Sequence, residues 1–161
     1  MTYADLIRAL KAALEPLVAA NGGSVVAAPT LEKARSYLSA APRGWRIILH
    51  WEGFAEHPEA RIGMTTHQVA VVLQAPAGLD IDRDLTLDKP DGSHGFHHYL
   101  ALVDGWMRAM RFPDGTGADS AGFSLAGSQW LDTVPTHSAH TLNYQLDAAS
   151  PGYSETIVLS F

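Results

Sequence analysis

Leu6, Ile7, Leu10, Ala13, Leu14, Leu17 and Val18 fall at spacings of three and four. Residues spaced in this way share one side of an α-helix. The pattern predicts a helix over residues 3–20 whose apolar side must be covered by something else. A second stretch repeats the pattern. Phe96, Tyr99, Leu100, Val103, Met107 and Met110 line one side of a predicted helix over 94–111, and Trp106 widens the stripe. Two one-sided helices need a common apolar surface, and the rest of the chain supplies one in a different period. Trp45, Ile47, Leu49 and Trp51 alternate with Arg46, Ile48, His50 and Glu52, which predicts a strand over 45–54. Residues 64–74 follow as a strand with Val69, Val71 and Leu73 on one face and Ala70 and Val72 on the other. The connection between these two strands is short and has no helical pattern, so they pair antiparallel.

Smaller elements complete the order. Asn21-Gly22-Gly23 stops the first helix, because glycine takes the left-handed cap conformation. Pro16 removes a backbone donor, and a kink or an early end is expected there. Residues 24–28 read as a short strand. Residues 31–40 read as a short helix with Leu31, Ala34 and Leu38 inward, Glu32, Lys33 and Arg35 outward, and Thr30 as N-cap. Ser93 is the expected cap of the 94–111 helix, and Arg108 and Arg111 suit the negative end of its dipole. Strands are expected over 122–131 and 140–147, the latter alternating His140, Leu142, Tyr144 and Leu146 with Thr141, Asn143, Gln145 and Asp147. Ser150-Pro151-Gly152 turns the chain, and Ile157, Leu159 and Phe161 close it as a hairpin partner. The prediction is a single α+β domain over 1–161, with an antiparallel or mixed sheet packed by two main amphipathic helices.

Composition narrows the classes. The 161 residues are 47% hydrophobic and 17% charged, which fits a globular chain with much neutral surface open to subunit contacts. There is no cysteine, so disulfide scaffolds, thiolate zinc sites and thiol catalysis are excluded. The N-terminus carries an early acid and no apolar run, unlike a signal peptide, and no stretch approaches the roughly 18 apolar residues that span a bilayer. The net charge is −6, with basic residues read as scattered, which argues against specific nucleic-acid binding.

Five constellations could carry chemistry. His94, His97 and His98, among eight histidines, sit at a helix start at spacings that can hold zinc if His137, His140 or Asp91 supplies a third ligand. The Glu of a His-Glu-x-x-His site is missing, and a polar helix start or subunit contact accounts for them as well. Ser124 and Ser128 have no Gly-x-Ser-x-Gly setting and no base that the sequence places beside them. Gly22-Gly23 and Gly115-Thr116-Gly117 lack the Lys and helix of a phosphate loop and read as turns. Asp80, Asp82 and Asp84 begin like a calcium loop, but Leu85 and Asp91 stand where glycine and glutamate are needed. With Asp88 and Asp91 they make the long segment 76–93 an acidic stretch that reads by default as a solvated loop, of a length that is usually functional or mobile. Trp45, Trp51 and Trp106 read as core anchors, with a ligand-lined pocket as the alternative. No catalytic residue and no cofactor follow from these readings.

The order of elements resembles that of the phage tail terminators and related minor tail, or tail-completion, proteins. The matching features are the helix Tyr3 to Ala20 with its Gly-rich turn and the strands Trp45 to Phe54 and Met64 to Gln74. The long loop, the helix Phe96 to Arg111 and the closing strands to Phe161 also match. The match spans nearly the whole chain and is one of pattern and length; the 31–40 helix and the chain length exceed the family pattern. The resemblance implies a non-enzymatic ring subunit, commonly six to a ring, that caps the tail tube and meets head-completion proteins. Its place would be the virion tail, assembled in the host cytoplasm, without membrane contact. A negative lumen would repel passing DNA, with 80–91 facing that lumen or the next ring. The rival reading is a small His-dependent metal-binding protein or hydrolase using His94, His97 and His98.

Overall fold

A computed structural model describes residues 3–20, 22–40, 42–56, 64–76, 95–113, 118, 120–131 and 139–149. The elements, in chain order, are α1 (Tyr3–Ala19), β1 (Ser24–Ala27), α2 (Leu31–Leu38), β2 (Arg46–Glu56), β3 (Met64–Gln74), α3 (Phe96–Ala109), β4 (Phe123–Trp130) and β5 (Ala139–Ala149). The strands form one mixed sheet in the order β1-β2-β3-β5-β4. The expected antiparallel pair is present, with Arg46 opposite Gln74 and Leu49 opposite Val71. β3 and β5 pair antiparallel from Met64↔Ala149 to Gln74↔Ala139, β4 lies antiparallel on the far side of β5, and β1 adds a parallel pair beside β2. The closing strand expected at 157–161 lies outside the described residues. β5 itself has a strand on each edge from His140 to Leu146.

The two periodic helices share one face of this sheet. Leu6, Leu10, Leu14 and Val18 of α1 and Phe96, Val103 and Met107 of α3 are all fully buried. They meet Ile47, Leu49, Val69, Val71, Leu73, Leu142, Tyr144 and Leu146 in one core cluster. The other face is partly covered. There α2 lays Ala34, Tyr37 and Leu38 against Ile48, Val72, Ala28 and Ala139, a smaller second cluster. That second layer explains why β2 and β3 carry apolar residues on both faces instead of a strict alternation.

Several local expectations hold in detail. Gly22 has φ +70°, the left-handed conformation that ends α1. The Thr30 side chain accepts from the Lys33 backbone N–H at 3.1 Å and caps α2. Arg111 Nη1 donates to the carbonyls of Arg108 and Met110 at 2.7 and 2.8 Å, satisfying acceptors at the end of α3. Gly53, at φ +131°, accommodates the register shift between Trp51 and Gly53 in β2.

Other expectations are corrected. The early end at Pro16 does not occur, since α1 runs through it to Ala19. Pro16 and Ala12 are both exposed, so the carbonyl left without a donor faces water. Leu31 is 54% exposed instead of inward, because α2 touches the sheet through Ala34, Tyr37 and Leu38 and its first turn overhangs. Trp106 is 47% exposed, on the edge of α3 away from the buried line Phe96, Tyr99, Val103 and Met107. The N-cap of α3 is Gly95, with no side-chain cap bond, and Ser93 lies outside the described residues.

Candidate functional site

Three polar constellations stand out. The first lies where α3 begins and β5 starts. Trp45 packs on Phe96 and Tyr99, with ring centroids 5.5 and 4.5 Å apart, and Phe96 packs on Trp130 at 4.9 Å. Trp130 meets His140 edge-on at 4.7 Å. His140 is 8% exposed, and its Nδ1 is buried without a hydrogen-bond partner. Burial, and then the nearby His97, hold the His140 imidazole below its usual range. His98 is half-buried and meets the Tyr99 ring edge-on at 5.6 Å. Burial raises the Tyr99 hydroxyl above its usual range.

Of the expected zinc ligands, His97 and His140 are thus electrostatic neighbours, whereas His98 turns to Tyr99. His94, His137 and Asp91 lie outside the described residues. Among the described residues, no three or more His, Cys, Asp or Glu side chains are grouped to hold a metal ion. His67 is a further buried histidine, which accepts at Nδ1 from Trp51 Nε1 at 3.4 Å; its place in the core came from no sequence motif.

The second constellation ties α3 to β5. The buried Tyr144 hydroxyl donates to Asp104 Oδ1 at 2.6 Å. Asp104 also takes Arg108 Nε at 3.0 and 2.9 Å, one turn along α3. Burial, and then the Asp104 carboxylate, push the Tyr144 hydroxyl far above its ordinary range, so it stays a donor. A hydroxyl held in this way is a strut and a poor general base.

The third lies on the opposite face of the sheet. Arg46 Nη1 donates to the Tyr37 carbonyl at 3.1 Å and to Gln74 Oε1 at 3.4 Å. Gln74, fully buried, donates through Nε2 to the Ala40 carbonyl at 3.2 Å. Arg46 Cζ stands 5.6 Å from the Tyr37 ring centroid, and Lys33 Nζ stands 4.9 Å from the same centroid. Four of the eleven basic residues gather here: residues 30–46 hold Lys33, Arg35, Arg43 and Arg46 against Glu32 alone, in a chain of net charge −6. A running charge count along the sequence would have found this signal.

The remaining candidates separate. Ser124 and Ser128 lie exposed on β4, opposite Gln145 and Leu142. Trp45 is buried and Trp51 packs on the same core, while Trp106 lines a shallow surface hollow of about 300 Å³ with Ala101, Leu102, Gly105 and Ala109. The three tryptophans do not share a pocket. Asp80, Asp82, Asp84, Asp88 and Asp91, and the Gly115–Gly117 turn, lie outside the described residues. Among the described residues no helix is long and apolar enough to cross a membrane.

No protein-family model matches the chain, and no curated protein matches it in sequence.

Proposed function

We propose that the chain is a non-catalytic subunit of a phage or prophage tail. In this reading it is a terminator or tail-completion protein that closes with its own copies into a ring, six copies being the expected number. The ring caps the tail tube and meets the head-completion proteins. The observation that carries this reading is the order of elements. A one-sided N-terminal helix, an antiparallel pair, a long acidic connection, a second one-sided helix and two further strands occur in the order that the resemblance implies, with β1 and α2 as additions between the first helix and the pair. The β4 strand, an edge among the described residues, adds support, since its eight residues, Phe123–Trp130, include no charge or proline that would keep another copy away. Light scattering on the purified chain, followed by negative-stain imaging, tests it. The expected result is a particle of about six chain masses with a central opening, since head-to-tail contacts that close by rotation give rings. A chain that stays monomeric at every concentration and salt level would remove the reading.

His140, buried beside His97 with an unpartnered ring nitrogen, favours the second reading, a small His-dependent metal-binding protein or hydrolase. Stoichiometric zinc in the purified chain, lost on changing His97 and His140 together, would support that reading over the first.

A further inference from the structure

We propose that Lys33, Tyr37 and Arg46 form a dock for an acidic peptide segment, and that its occupant is the aspartate-rich stretch 80–91 of a second copy of the chain. The choice of a second copy rests on the ring reading above; the dock itself rests on local geometry.

Two cations flank one aromatic ring here, Lys33 Nζ at 4.9 Å and Arg46 Cζ at 5.6 Å from the Tyr37 centroid. The ring attracts each of them, but it gives neither a charged acceptor. Among the described residues the hydrogen-bond partners of Arg46 are neutral, a backbone carbonyl and an amide oxygen, and its Nε is buried with no acceptor. A half-buried guanidinium is ordinarily matched by a carboxylate. Among the described residues, neither Lys33 nor Arg46 makes an ion pair. Arg43, exposed three residues before Arg46, extends the same positive surface. An incoming carboxylate would pair with both cations and give the guanidinium a charged acceptor.

Charge selects the occupant. Residues 30–46 carry a net +3, and residues 80–91, with five aspartates against Arg83 and Lys89, carry a net −3. Nucleic acid fits less well, since its binding scales with the number of phosphates neutralised and this chain repels polyanions at long range. A patch on α2 and β2 that takes a segment lying between β3 and α3 joins two different parts of the chain, so it can repeat head to tail, as the ring reading needs.

The test uses the full-length chain with Asp80, Asp82, Asp84, Asp88 and Asp91 all changed to Asn, which leaves the dock free of its own segment. A fluorescein-labelled peptide of residues 78–92 is titrated with this protein and followed by anisotropy. Binding is expected at about 50 mM salt and should weaken steeply by about 500 mM, as exposed charge pairs are screened. Lys33→Glu and Arg43→Glu, both at exposed positions, should each weaken it by about tenfold. Circular dichroism checks that each variant is folded. Absence of binding, or equal binding to the Lys33→Glu protein, overturns the dock. A labelled DNA duplex that binds more tightly than the peptide and loses affinity in the same variants assigns the patch to nucleic acid and overturns it too. Light scattering of the otherwise native chain then separates the two readings. Rings that fall apart with Lys33→Glu support the second-copy assignment. Rings that persist reject that assignment and leave the ring reading standing. A monomeric wild-type chain that still takes the peptide rejects both the ring and the second copy.

Discussion

At the scale of single residues, the informative positions are polar atoms placed where water is scarce. Tyr144 is 1% exposed and spends its hydroxyl on one carboxylate oxygen of Asp104. A hydrogen bond to a charged group contributes about 1.5–3 kcal/mol, so Tyr144→Phe should lower stability by about that much. In an Asp104→Ala background the same change should cost far less. Denaturant titrations of the four proteins would show it, and equal costs in both backgrounds would refute the strut. His140 offers a pH test. Its imidazole takes up a proton less readily in the folded chain than in the unfolded one, because it is buried and lies near His97. The unfolded state then binds more protons. The stability His140 supports is complete above the unfolded value of about 6.5 and is lost as pH falls through it. His140→Phe should therefore gain on the wild type in melting temperature between about pH 7.5 and about pH 5. A gap that does not change with pH would rule this out. Tyr144 could not be singled out in advance, and His140 stood out only as a candidate third zinc ligand. Tyr144 and His140 were legible as inward positions of a strand, but their partners on α3 depend on which strand lies beneath that helix.

Among elements, what could be read in advance was whatever depends on local periodicity. The stripe Leu6 to Val18 is buried as expected, and the alternation from Trp45 to Trp51 marks a strand that faces two helices on one side. Leu31 and Trp106 were misread because periodicity gives a helix a buried direction without saying how far the neighbouring surface extends. The side chains at those two positions stay about half exposed. The turn after α1 shows how tightly elements can be joined. A Cβ at Gly23 would stand 2.4 Å from the Trp45 carbonyl oxygen and 2.6 Å from that of Val18. These are backbone atoms, so relief requires α1 or β2 to shift. Gly23→Ala should cost about 2–3 kcal/mol, near the top of the range for overpacking. Gly22→Ala, strained only by its φ of +70° and otherwise in open space, should cost about 1–2 kcal/mol. Thermal melts of the two variants compare them directly, and the reverse order would contradict the close approach.

For the whole molecule, class and helix placement were accessible from sequence, but strand order was not. Nothing local says that β1 lies parallel outside β2, or that β5 inserts between β3 and β4. Such choices follow from which long-range pairings bury the most apolar surface. The charge asymmetry is also a whole-molecule property. The basic region 30–46 contributes helix α2 to the thinly covered face, while both long helices lie on the other face. The zinc reading and the dock therefore concern opposite sides of the sheet.

The ladder between β3 and β5 joins residues as far apart as Met64 and Ala149. Bringing such distant ends together is an entropic hurdle that nearby turns cannot lower. As the polypeptide leaves the ribosome, β3 must keep one apolar-flanked margin vacant until β5 arrives. During that interval the nascent chain is open to mispairing with its neighbours, and a holding chaperone would matter most then.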